Sequence, residues 1–109
     1  MKIIINEFIS DTALNPFEKW FDKLNARAAA KVATALYRME NGNFSNVKNL
    51  KGGVFEYKID FGPGYRIYFG QEGDRLIILL GGGTKKQQSK DIKMAKGYWQ
   101  QYKKSIKGR

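Results

Sequence analysis

The chain has 109 residues and a formal net charge of +10, with 42% hydrophobic and 14% aromatic residues. That is one domain with one packed core, and too apolar a composition for disorder. It has no cysteine and no histidine, and its ten acidic residues never cluster at metal-ligand spacing, which argues against disulfides, thiolate chemistry, imidazole catalysis and a metal site. Neither a cofactor nor a metal is expected.

At the N-terminus, Lys2 to Phe8 (KIIINEF) is β-rich and reads as a strand. Acidic and polar residues interrupt it too soon for a signal-peptide core, and no segment reaches the ~20 apolar residues of a membrane span. The chain therefore reads as cytoplasmic, with no membrane partner. Next, Asn15 stands as an N-cap, Pro16 as first helical residue and Glu18 three places after the cap, a helix-start signature. Phe17, Trp20, Phe21 and Leu24 follow at helical spacing. A second helix is predicted over Ala26 to Glu40, with Val32, Leu36 and Met39 inward and Gly42 as its left-handed cap. These aromatic and aliphatic faces read as core.

The middle of the chain alternates as strands do. In VFEYKIDF, Phe55, Tyr57, Ile59 and Phe61 point one way; in YRIYF, Tyr65, Ile67 and Phe69 do the same. A three-residue Gly62–Gly64 loop pairs Phe61 with Tyr65, Ile59 with Ile67 and Tyr57 with Phe69. On the opposite face this register sets Asp60 across from Arg66 and Lys58 across from Tyr68. Arg75 to Leu80 (RLIILL) is apolar on both faces and reads as an interior strand. The glycines Gly81–Gly83 then lead either into a phosphate-binding turn or into an ordinary strand-to-helix connection. The last helix is predicted over about Gln87 to Lys104, on the spacing of Ile92, Ala95, Trp99 and Tyr102.

The expected architecture is a single α+β domain over residues 1–109, ordered β-αα-βββ-α. An antiparallel or mixed sheet carries a helical hairpin on one face. The other face is open and bears Glu56, Lys58, Arg66 and Tyr68, with Lys85 and Lys86 at its edge. From Lys85 to Arg109 there are nine basic residues and one acid, Asp91, whereas the preceding part is close to balanced. That asymmetry points to a polyanionic partner, nucleic acid first, or to an acidic protein.

GVFEYKIDFGPGYRIYF followed by LIILLGGGTKKQQSKDIKMA resembles the RelE/ParE superfamily of bacterial toxins, and within it the HigB-like addiction module killer proteins. The first-helix F-x-x-W-x-x-x-L and the NGN after the second helix fit the same pattern, so the resemblance runs from about Phe17 to Trp99. Two positions depart from it. Lys58 stands where the family strand usually has Arg, losing bidentate phosphate geometry, and Thr84 stands where it usually has Asp. The resemblance implies the toxin of a type II toxin–antitoxin pair, an endoribonuclease acting on mRNA, commonly at the ribosome. It also implies a cognate antitoxin, typically of helix-turn-helix type. A ParE-like gyrase poison and a non-catalytic RNA- or protein-binding module are the alternatives on the same fold.

Metal-independent RNA cleavage needs a base for the 2′-hydroxyl, charge stabilisation at phosphorus and an acid for the leaving 5′-oxygen. Without histidine, the candidates are Arg66, Lys85, Lys58 and Tyr68. Arg66 is cast as the phosphate clamp and Lys85 as a second phosphate ligand. Tyr68 or Lys58 is cast as the base, with its pKa lowered by crowding among cations. Lys86, Gln88 and Lys90 are candidate RNA contacts. Each has a plainer counterpart: Arg66 paired with Asp60, Lys58 in a solvated sheet pair, the glycines serving close packing, and Gln88 and Asp91 orienting the last helix. The oligomeric state is open.

Overall fold

The computed structural model describes residues 2–108. Its elements in chain order are β1 (Ile4–Glu7), α1 (Pro16–Phe21), α2 (Ala26–Glu40), β2 (Val47–Asn49), β3 (Val54–Ile59), β4 (Tyr65–Glu72), β5 (Leu76–Thr84) and α3 (Gln88–Lys107), with a 3₁₀ turn at Lys85–Gln87 before α3. The expected α+β architecture is present, with one addition. The short strand β2 was not legible in the sequence; it pairs with β3 as the sheet's edge. The five strands lie in the order β1-β5-β4-β3-β2, β1 running parallel to β5 and the other neighbours antiparallel.

Capping chemistry places the helices. The Asn15 side chain accepts from the Glu18 amide at 3.0 Å, and Asn25 accepts from the Ala28 amide at 2.9 Å, so each helix begins with one of its orphan donors satisfied. Gly42 takes the left-handed conformation after α2, with φ 83°. Phe17, Val32, Ala35 and Met39 of the helical hairpin pack on Tyr57, Ile59, Tyr65, Ile67, Phe69, Ile77 and Leu79 of the sheet.

The other sheet face is not open. α3 lies across it, and Ala95 and Trp99 join Phe8, Val54, Tyr68, Ile78 and Leu80 in a second core. Two glycines make this possible. A β-carbon on Gly70 would run into the Trp99 indole, and one on Gly53, at φ 84°, would approach its Nε1. The expectation of an open polar face therefore fails for Glu56, Arg66 and Tyr68, which are 3%, 5% and 1% exposed. It holds for Lys58, Lys85 and Lys86, which remain in solvent.

The β3–β4 register also differs from expectation. Ile59 pairs with Tyr65, Lys58 with Arg66, Tyr57 with Ile67 and Glu56 with Tyr68. The loop has widened to Asp60–Gly64, with Gly62 and Gly64 at φ 55° and 79° and the Gly64 amide donating to the Phe61 carbonyl at 3.0 Å. A slip of two residues keeps every side chain on its face, so the alternation could not separate the two registers. Its consequence is that Arg66 faces Lys58 and not Asp60.

Candidate active site

The site forms where the Gly62–Gly64 turn meets the end of β5. The glycines are neither a turn nor a phosphate loop: Gly81, Gly82 and Gly83 are β5 residues paired with Tyr68, Ile67 and Arg66. They are there for close approach. A β-carbon on Gly82 would strike Trp20 of α1, and one on Gly83 would strike the Asp91 carboxylate. Between the pairs Tyr68–Gly81 and Phe69–Leu79 the ladder carries a bulge at Leu80, which turns Gly81 to the same side as Tyr68.

The Gly64 carbonyl is the convergence point. It accepts the Lys85 backbone amide at 2.8 Å and Arg66 Nη1 at 3.2 Å. Lys85 is thereby fixed beside the turn, while Lys58 stands opposite Arg66 on the neighbouring strand. Behind them lies a buried ion pair. Arg66 Nε is 3.6 Å from Glu56 Oε1, with the two side chains 6% and 4% exposed. Gln88, in the first turn of α3, donates from Nε2 to the same Glu56 oxygen at 2.7 Å. Gln88 thus ties α3 to the sheet, the orienting role left open for it, and its amide is engaged by protein. Lys90 lies exposed on α3 and Lys86 exposed in the 3₁₀ turn.

Tyr68 does not match the role assigned from sequence. Its phenol is held far above the usual tyrosine range, chiefly by burial, with the charges of Glu56 and Asp91 adding to the effect and Arg66 opposing it. That is the opposite of the lowered pKa a base needs. Its hydroxyl has no hydrogen-bond partner, and the same is true of Asp91 Oδ2. Burial also raises the Asp91 carboxyl above its ordinary value, with Lys90 pulling the other way. Tyr68 and Asp91 line a cavity of about 190 Å³ between α1, β5 and α3. Lys58 is not among its lining residues and instead borders a separate concavity between β2 and β3. Sequence reasoning missed the Glu56–Arg66 pair because it depends on the register, and missed the cavity because it depends on the bulge.

Among the described residues, no group of three or more His, Cys, Asp or Glu side chains is placed to hold a metal ion, and no helix is long and apolar enough to cross a membrane.

Comparison with known proteins now decides the family. The family model described as "Phage derived protein Gp49-like (DUF891)" matches residues 19–104. The chain belongs to this Gp49-like family. A relative in sequence is an uncharacterized protein of Haemophilus influenzae, 47% identical over 81 residues, covering 73% of this chain and 82% of that protein. In structure the chain is similar to a mutant of the E. coli toxin RelE in the free state, with TM-score 0.63 and 14% identity over 87% of this chain and 95% of the other. At that identity the likeness is one of fold: this Gp49-like protein has the RelE architecture.

Proposed function

We propose that this Gp49-like protein is the toxin of a type II toxin–antitoxin pair, of the HigB-like kind, and that it cuts mRNA as a metal-independent endoribonuclease acting at the ribosome. The observation that carries the reading is the grouping of Lys58, Arg66 and Lys85 around the Gly62–Gly64 turn, with Lys85 held there through its own backbone amide. The RelE fold and the sequence resemblance support it.

In the proposed reaction the 2′-hydroxyl of the RNA gives up its proton and attacks the adjacent phosphorus. The bond to the 5′-oxygen breaks, and that oxygen takes a proton. The ammonium group of Lys85 stabilises the charge developing on the phosphoryl oxygens. Burial removes Tyr68 as the base, which leaves Lys58, acting as the neutral amine, to take the 2′-hydroxyl proton and then, as the ammonium, to give it to the leaving 5′-oxygen. Arg66 is held by Glu56 and Gly64, so it supports the turn and adds positive field from behind. With no group tuned near pH 7 by histidine chemistry, the site depends on a substrate already positioned, as an mRNA in a ribosome is. The cognate antitoxin is proposed to be a helix-turn-helix protein.

The test is a pair of assays on the purified protein: mRNA cleavage on translating ribosomes, and supercoiling by DNA gyrase. The proposal expects cut mRNA and unaffected gyrase. Gyrase inhibition with intact mRNA would replace it with the ParE-like reading; no effect in either would leave a binding module.

A further inference from the structure

We propose that the groove between α2 and the end of β3 carries the single-stranded RNA next to the cleaved bond, with its phosphates on Lys31 and Arg38. This deepens the proposed function and rests on it, because Lys58, read there as the residue at the reacting bond, gives the groove its place on the substrate.

Three observations carry it. First, the groove is continuous with the site. It holds about 250 Å³, and its walls include Lys31, Thr34 and Arg38 of α2 together with Asn46, Lys58 and Phe61. Phe61 immediately precedes the Gly62–Gly64 turn. The β2–β3 concavity shares Asn46, Lys58 and Asp60 with the groove and adds Lys48. A strand laid along α2 therefore passes Lys58 and leaves by a second basic hollow. The sheet edge is uncovered here because β2 begins only at Val47; just before it, the Asn46 carbonyl accepts the Lys58 amide at 3.1 Å.

Second, the cations are not neutralised. Lys31, Arg38, Lys48 and Lys58 are exposed, and among the described residues none of them has a carboxylate within ion-pair distance. Of the described residues lining the α2 groove, Asp60 alone is acidic. Third, Lys31 is placed. Its ammonium lies 5.2 Å from the centroid of the Phe61 ring, and that ring stacks on Tyr65 at 6.5 Å, so the charge is held over the groove. Arg38 follows two helical turns later, about 10 Å along the axis, with Thr34 between them.

A line of placed cations with hydrogen-bonding side chains among them matches a phosphodiester backbone. Contacts of that kind position a strand and read no sequence. The large apolar residues of the groove, Tyr57, Ile59 and Phe61, are buried or half-buried, so it lacks the deep apolar socket in which a protein partner anchors.

The experiment measures binding of the full chain to short 2′-O-methyl oligouridylate and oligoadenylate by fluorescence anisotropy over a sodium chloride series. These strands have no free 2′-hydroxyl to attack, so binding is read apart from cutting. Each phosphate contact in a single strand adds about 0.7 to the slope of log affinity against log salt. Lys31→Ala and Arg38→Ala should each flatten the slope by about that amount and weaken both oligonucleotides alike. Asp60→Asn should tighten binding. Lys104→Ala removes one charge from α3, across the sheet, and should leave the slope unchanged. All four residues are exposed, so the variants should fold as the parent does. Unchanged slopes in both α2 variants, equal flattening in Lys104→Ala, or displacement of the RNA by polyglutamate as readily as by unlabelled RNA would overturn the groove; mRNA cleavage by the parent would then still uphold the proposed function. Slopes flattened as expected in a chain that cuts no mRNA would keep the groove as an RNA surface and overturn the ribonuclease reading.

Discussion

Arg66 was expected to lie on a solvated face, where truncation to alanine disturbs little. The buried pair with Glu56 reverses that expectation. Arg66→Ala strands a carboxylate that is 4% exposed, and breaking such a pair by removing one partner typically costs about 3–5 kcal/mol. We therefore predict a clear loss of stability in denaturant unfolding, largely repaired in the double variant Arg66→Met with Glu56→Gln. If Arg66→Ala unfolds at the parent's midpoint, the pair is not what the geometry indicates. This also means that loss of toxicity in Arg66→Ala cannot by itself assign a catalytic role. Asp91 supplies a second residue-scale test. Burial raises its carboxyl above the ordinary aspartate range, with Lys90 opposing, so folding favours the protonated acid. The penalty is absent below the unfolded pKa and grows as pH rises through the folded one. Asp91→Asn should accordingly melt higher than the parent at pH 7, and the gap should close toward about pH 4. A gap that stays constant over that range would show that ionisation is not its source.

At the scale of elements, glycine is what lets helices seat on both faces of one sheet. Gly82 admits Trp20 of α1 on one side, and Gly70 admits Trp99 of α3 on the other. Gly82→Ala and Gly70→Ala should each destabilise by about 1–3 kcal/mol, the range for overpacking a filled interior, with Gly97→Ala of α3 as a control where nothing lies within 4 Å and the backbone suits alanine. A loss of the same size at all three would remove tryptophan packing as its source. These contacts explain what was and was not legible. The caps at Asn15 and Gly42, the amphipathic helices and the alternating strands are local signals, and the sequence carries them in full. The register of β3 on β4 is not local: the alternation repeats every two residues, so it fixes the faces but permits slips of two. The role of Gly81–Gly83 was hidden for a similar reason. Their partners, Trp20, Tyr68 and Asp91, are distant in the chain, and a glycine run at the end of a strand looks alike whether it leaves the sheet or stays in it.

Over the whole molecule, charge is the property that fold alone does not explain. The last segment, Lys85 to Arg109, carries nine basic residues and one acidic one, and α3 packs its apolar side on Tyr68, Leu80 and Val54 while its lysines, apart from the half-buried Lys96, face water. Such a field accelerates encounter with an oppositely charged partner and is screened by salt over roughly 8–10 Å at physiological strength. With the proposed antitoxin, the association rate should fall steeply as salt rises, while dissociation changes less. A rate independent of salt would remove electrostatics from partner choice. The central claim is catalytic, and Lys85 tests it most directly. Its backbone is fixed to Gly64, whereas Lys86 beside it is exposed in the 3₁₀ turn. Losing one transition-state donor costs about 2.7–4 kcal/mol in comparable sites. Single-turnover cleavage of mRNA on programmed ribosomes should therefore slow at least tenfold in Lys85→Ala and far less in Lys86→Ala, both variants remaining folded. Equal rates for the two variants would contradict a placed catalytic lysine and leave only a diffuse basic surface.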